Sequence, residues 1–163
     1  MKKSILGSYL FSFLLLTSCN APSSQTATTK PVLEVPSKEV IASQDAPKAI
    51  GPYSQAIKVG NTLWLAGQIA LEPTTGGMVT GSIQIETTQV MANIQAVLTA
   101  AGMSIKDVVQ VQVFLSDLND YQAFNELYAE YFPENPPARA VVQAARLPRD
   151  AKVEIMMTAY KAE

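Results

Sequence analysis

Apolar residues recur along this chain at two spacings, and the switches between them mark its elements. From Val108 to Leu115 the side chains alternate, with Val109, Val111 and Val113 on one side and Gln110 and Gln112 on the other. A two-residue period is that of a strand with one buried face. From Ser82 to Ala101 the spacing changes: Ile83, Val90, Met91, Ile94, Val97 and Leu98 recur at three- and four-residue steps, which predicts a helix stopped by Gly102. A second helix begins at Asn119-Asp120, residue types that cap helices. Tyr121, Phe124, Leu127, Tyr128 and Tyr131 form its apolar stripe, and Pro133 ends it. Tyr53–Val59 and Leu63–Ile69 read as strands joined at Gly60-Asn61, a hairpin signal. Glu72 to Gly81, with Pro73 and the Gly76-Gly77 pair, reads as a loop. Ala138–Leu147 and Lys152–Tyr160 are the closing strands, joined through Pro148-Arg149-Asp150-Ala151.

The order strand, strand, helix, strand, helix, strand, strand predicts an α+β fold in which both helices cover one face of a sheet. In the last strand Val153, Ile155 and Met157 take one side; Glu154, Met156, Thr158 and Tyr160 take the other. The first set meets the helices. The second carries too much apolar surface for open solvent and points to a subunit interface.

The N-terminal pattern is different again. Lys2 and Lys3 precede an apolar stretch from Ile5 to Leu16. As a helix it would reach about 18 Å, against the roughly 30 Å of a bilayer core, so it reads as a signal-peptide core rather than a membrane span. The run Leu16-Thr17-Ser18-Cys19 resembles a bacterial lipobox. That resemblance implies a signal peptide over residues 1–18, cleavage before Cys19 and lipidation of its thiol. Residues 19–39, rich in Ser, Thr and Pro, then read as a flexible tether, and residues 40–163 as the folded domain. The expected location is the periplasm-facing surface of a membrane, the outer membrane in a Gram-negative cell, with acyl chains as the anchor.

Composition narrows the chemistry. The 163 residues are 48% hydrophobic, which fits one domain with an appendage and argues against global disorder. The formal charge is -2 and there is no basic patch, so no nucleic-acid partner is expected. The chain has no histidine, which excludes serine–histidine and cysteine–histidine relays and histidine-based metal sites. No metal is expected. Cys19 is the sole cysteine, so no internal disulfide forms. Carboxylates, tyrosines, lysines and water remain for proton transfer.

Two charges stand inside apolar, strand-like segments: Arg139 in Pro136-Pro137-Ala138-Arg139-Ala140-Val141-Val142, and Glu154 in Lys152-Val153-Glu154-Ile155. Such charges are costly without a partner or a task. Arginine can hold a carboxylate through two parallel hydrogen bonds, and glutamate can move protons. Together they suggest a pocket for a small organic acid. The structural alternatives are a salt bridge for Arg139, and a sheet glutamate paired with Lys152 or Arg146 for Glu154. A tight hairpin centred near Arg149-Asp150 would set Arg139 opposite Tyr160, so register alone does not join the two charges. A pocket between two chains, or a bulge, would.

Several short motifs follow one another in order: Gly51-Pro52-Tyr53-Ser54-Gln55-Ala56, Ala66-Gly67-Gln68-Ile69, Asp117-Leu118-Asn119-Asp120, Asn125-Glu126-Leu127-Tyr128, Pro137-Ala138-Arg139, Ala145-Arg146-Leu147-Pro148 and Val153-Glu154-Ile155. Together they resemble the Rid (YjgF-like) family, most of all its RidA branch, from roughly Ser43 to Tyr160. The resemblance implies a chorismate-mutase-like fold with a mixed sheet. It also implies a homotrimer: sheets packed into a central barrel, helices outside, pockets at subunit interfaces. The implied activity is hydrolysis of 2-imino and enamino acids, such as 2-iminopropanoate and 2-iminobutanoate, to 2-oxo acids and ammonia, with no metal or organic cofactor.

Carried onto this chain, the resemblance makes Arg139 the carboxylate anchor and Glu154 the proton shuttle. Tyr53 matches a pocket tyrosine, and Gly67 a place where bare backbone approaches substrate. Asn125 matches a motif position that either touches ligand or fixes a loop, and Val141 lines the site. Many relatives carry a cysteine where this chain has Val141, and Ser or Thr where it has Ala66, so a thiol and one hydrogen bond are missing here. Two further readings use the same fold: a non-catalytic small-carboxylate-binding module, and a scaffold lipoprotein for partners.

Overall fold

A computed structural model describes residues 36–162 of the chain; the expected signal segment 1–18, Cys19 and most of the tether lie outside them. The elements are β1 (Lys38–Ile41), β2 (Ala56–Val59), β3 (Thr62–Leu65), α1 (Ile83–Ala100), β4 (Val108–Leu115), α2 (Tyr121–Tyr131), β5 (Ala138–Gln143) and β6 (Val153–Tyr160). All six strands form one sheet in the order β1-β2-β3-β6-β4-β5. Every pairing is antiparallel except β4 with β5, so the sheet is mixed.

The helices follow the sequence pattern closely. The Ser82 hydroxyl accepts from the Ile85 amide at the start of α1, and Gly102, at φ 71°, turns the chain away after its end. Ile83, Val90, Met91, Ile94, Val97 and Leu98 are all buried. The start of α2 differs from expectation. Asp117, not Asn119 or Asp120, supplies the side-chain acceptor, taking the Asn119 amide at 2.9 Å and shaping a 3₁₀ turn over Leu118–Asp120. Phe124 and Tyr128 are buried as the stripe requires, but Tyr121 is 41% exposed.

The closing strands depart most from the expected arrangement. β5 and β6 do not pair, because β4 lies between them. β5 runs parallel to β4, with Arg139 beside Val111 and Gln143 beside Leu115. A parallel pair needs a crossover, and α2 supplies it. β6 runs antiparallel to β4 on its other side, with Glu154 beside Phe114 and Val153 beside Leu115. Tyr160 therefore faces Thr62, not Arg139. The β5–β6 connection passes over the end of β4, where Ala144 donates to the Leu115 carbonyl and Lys152 accepts from the Ser116 amide. Its Pro148–Asp150 turn holds Arg149 and Asp150 at φ 60° and 56°, a left-handed bend that redirects the chain without making a hairpin.

Two irregularities interrupt the strands. In β4 the register with β6 shifts between Val108 and Gln110, which turns Val108 inward and leaves Val109 exposed, against the simple alternation. The strand expected from Leu63 to Ile69 stops at Leu65. The chain loops out at Ala66-Gly67 and rejoins β6 at Gln68, which exchanges two backbone hydrogen bonds with Ile155 at 2.9 and 3.0 Å. Likewise Tyr53 to Gln55 lie in a loop ahead of β2.

The core lies between the sheet and the helices. Leu63, Val111, Val113, Leu115, Val153 and Ile155 point from the strands toward α1 and toward Phe124 of α2, and all are essentially inaccessible. Both helices therefore cover one face, as the patterning requires. The opposite face carries Val40, Trp64, Met156 and Tyr160, each between 36% and 60% exposed.

Candidate functional site

Arg139 is held from below by neutral groups. It projects from β5 in line with Val111, a core residue, and so points to the helix-covered side at the edge of the sheet. Its Nη2 donates to Asn125 Oδ1 at 2.7 Å. Its guanidinium carbon lies 4.5 Å from the centroid of the Tyr128 ring and 5.7 Å from that of Phe124, within range of cation–π attraction. Among the described residues no carboxylate pairs with it. A guanidinium carries five N–H donors, and Asn125 occupies only one of the two Nη groups. The remaining donors border an open cavity of about 440 Å³ lined by Leu118, Tyr121, Arg139 and Val141. The salt-bridge alternative for Arg139 therefore has no acid to support it among these residues. In one chain the Asn125 amide oxygen holds the Arg139 guanidinium.

Glu154 sits in a second cavity. It is beside Phe114, one residue out of phase with Val113 and Leu115, so it projects from the open face of the sheet. A cavity of about 260 Å³ there is lined by Tyr53, Ala66, Gly67, Glu154, Lys48 and Pro148, among others. The Ala66-Gly67 loop makes this room. A Cβ on Gly67 would collide with Glu154 Oε1 and come within 2.9 Å of its Cδ, so only glycine leaves the carboxyl its present place. The glutamate is half-buried, and burial raises its pKa above the usual 4.5. Arg146, one of its two alternative partners, instead pairs with Asp150 at 2.7 Å, and among the described residues the Lys152 ammonium forms no ion pair with Glu154.

Tyr53 forms part of the same wall. It is 47% exposed, and its hydroxyl accepts from the Ile50 amide at 3.3 Å. Buried Gln55 fixes the loop that carries this wall: its Nε2 donates to the carbonyls of Ser43, Ala46 and Pro47, and its Oε1 accepts from the Ser43 amide. Asn93, fully buried on α1, holds the far side by donating to the carbonyls of Ile69 and Leu71.

One chain thus divides the predicted residues into two groups. Tyr53, Gly67 and Glu154 converge on the open face. Asn125, Arg139 and Val141 gather at the β5 edge, on the other side of the sheet. The chain does not bring Arg139 and Glu154 into one cavity. Sequence reasoning missed Gln55 as a scaffold residue and Tyr121 and Lys48 as lining residues. Gln55 stood inside a motif, as a buried polar residue at a strand start. Tyr121 was hidden by its helical spacing, which assigned it to the core.

A family model described as Endoribonuclease L-PSP matches residues 43–161. A RutC family protein of Pyrococcus horikoshii is 56% identical over 124 residues, covering 76% of this chain and 98% of that protein. A human 2-iminobutanoate/2-iminopropanoate deaminase is 43% identical over 124 residues, covering 76% of this chain and 90% of its own. Among solved structures, Escherichia coli TdcF with bound serine superposes with a TM-score of 0.73 at 38% identity, covering 76% of this chain and 99% of that one. Residues 43–161, which include both cavities, thus fall within a single match, and the chain belongs to the Rid (YjgF-like, L-PSP) family.

Proposed function

We propose that this protein hydrolyses 2-imino and enamino acids to 2-oxo acids and ammonia, in a pocket completed where Arg139 of one copy meets Glu154 of another. The observation that carries this reading is the pair of half-sites: an arginine that no acid among the described residues pairs with on one face, and a half-buried carboxyl of raised pKa on the other. The apolar open face supports assembly, since Trp64, Met156 and Tyr160 would be covered by further copies; the family resemblance makes that assembly a trimer. The deaminase name of the human relative supports the reaction. An endoribonuclease reading, suggested by the description of the family model, finds no histidine and no basic patch in this chain.

In this reaction Arg139 grips the substrate carboxylate through its free N–H groups. Hydrogen bonds to charged groups contribute about 1.5–3 kcal/mol each. Asn125 and the Tyr128 ring hold the fork in place without neutralising it. Glu154, as carboxylate, takes a proton from water as the water oxygen adds to C2 of the imine, and passes that proton to the imine nitrogen, giving a neutral carbinolamine. The carbinolamine then collapses: Glu154 takes its hydroxyl proton as the 2-oxo group forms and hands that proton to the amino nitrogen as the C–N bond breaks, so that ammonia leaves. Enamino acids enter after tautomerising to the imine. General acid–base assistance of this kind is worth roughly 10²–10⁴-fold in rate.

The raised pKa of Glu154 gives the pH dependence its sign. The base form must be present at the start of the cycle, so the rate falls as pH drops through a value above 4.5. In the loaded site the substrate carboxylate offsets the charge of Arg139, leaving burial as the main influence on Glu154.

We also propose export as a lipoprotein, which rests on Lys2-Lys3, the apolar run and Leu16-Thr17-Ser18-Cys19. In a bacterial host, metabolic labelling with a radioactive fatty acid will mark the wild-type chain and not C19S; equal labelling, or none in either, rejects the anchor. For the reaction, purified protein will accelerate loss of 2-iminopropanoate generated by an amino-acid oxidase, and R139A will lower kcat/KM by about 10²–10⁴-fold, the loss of two charge-assisted bonds. An unaccelerated decay with folded wild type sinks the deaminase reading. G67A will keep its thermal midpoint while activity drops about 10²-fold or more as Glu154 is displaced; full activity would show that Glu154 need not occupy its present place. The pH profile of kcat will show an acidic limb with a midpoint above 4.5. E154Q will lose about 10²–10⁴-fold in kcat and its residual rate will lack that limb; a limb that survives in E154Q belongs to another group.

A further inference from the structure

We propose that Tyr121 is a further substrate-binding residue, whose phenolic O–H donates to the same carboxylate that Arg139 grips. This rests on the function proposed above and adds a second donor to its anchor.

Tyr121 begins α2, four residues before Asn125 and seven before Tyr128, so the three follow one another along one side of the helix. Asn125 and Tyr128 are both spent on Arg139, one as hydrogen-bond acceptor and one as aromatic support. Tyr121 is far more exposed than Tyr128. It lines the open cavity together with Arg139, and its ring is substantially exposed where the helical stripe would have buried it. Hydrogen bonding by the Asn125 side chain, then the Arg139 charge, holds its hydroxyl below the usual pKa of 10.

The chemistry of this corner is specific. Arg139 offers N–H donors only, and Tyr121 offers an O–H. The other two lining residues, Leu118 and Val141, are apolar. Donors that converge beside an apolar wall, with no carboxylate of the described residues among them, suit a small planar anion with several acceptor oxygens. A 2-imino or 2-oxo monocarboxylate has that form. Of the residues one chain contributes to this lining, Tyr121 and Arg139 are those whose side chains can donate to this end of the substrate.

The test compares full-length wild type, Y121F and R139A, each checked for an unchanged thermal midpoint. Calorimetric titration with 2-oxobutanoate reads the carboxylate; 2-oxobutanamide serves as a neutral analogue of similar size. Y121F will bind 2-oxobutanoate about tenfold more weakly than wild type, the low end for a hydrogen bond to a charged group, with amide binding unchanged and KM for 2-iminobutanoate raised by a similar factor. In the crystalline complex, Tyr121 Oη will lie about 2.7 Å from a carboxylate oxygen. Equal affinity of Y121F and wild type for 2-oxobutanoate overturns the proposal, and so does an equal loss for acid and amide, which would make Tyr121 a shape-keeping residue. If Y121F weakens acid binding while no protein hydrolyses the imine, the deaminase reading falls and the Tyr121 assignment stands. If wild type hydrolyses the imine and Y121F matches it throughout, the reverse holds. A folded wild type that binds no 2-oxobutanoate overturns both.

Discussion

The two-residue alternation across β6, β4 and β5 is the constraint from which the site follows. Once β4 pairs with both neighbours, every side chain on those strands is assigned to a face. Arg139 shares its row with Val111, and Glu154 shares its row with Phe114. Those rows are three residues apart on β4, an odd number, so the two charged groups must emerge on opposite sides of the sheet. No rotamer reverses this. The helix-covered side supplies Arg139 with aromatic rings and an amide; the open side supplies Glu154 with a cleft whose shape depends on a glycine loop. A site using both groups is therefore a property of an assembly.

The parts of the fold governed by local period were legible in the sequence. Helix α1, strand β4 from Val111 onward and the inward row of β6 appear where the spacing of Ile, Val, Met and Leu puts them. What was not legible depends on pairing between distant segments. Nothing in the run Pro148-Arg149-Asp150-Ala151 distinguishes a hairpin from a turn that carries the chain over a third strand, because both require a bend of that length. The break of β3 at Ala66-Gly67 was equally hidden: a glycine within an apolar run can mark a bulge, a turn or a close approach. Tyr121 satisfied the helical spacing yet lies outside the core, because the sheet edge it faces leaves it uncovered.

The two half-sites show how similar cost is handled by different means. A carboxyl placed in a partly dry cleft responds by favouring its protonated form, which is the direction seen for Glu154. A guanidinium does not have that option in the physiological range. Arg139 is kept in place by π-faces and one carbonyl oxygen. A proton carrier that can be tuned and a cation that cannot thus occupy the environments that suit them. Gln55 and Asn93 act on the first group only, each spending a buried amide on the carbonyls of surrounding loops.

That neutral setting for Arg139 has an electrostatic reach. The chain as a whole is slightly negative, at -2, and its general field repels small anions. Within one chain no carboxylate among the described residues pairs with this cation, so its potential reaches the mouth of its own cavity and extends about one Debye length, roughly 8 Å at physiological salt. A small anion near this corner meets a local attraction set against a weakly repulsive background, so encounter there is favoured over an average patch of the surface.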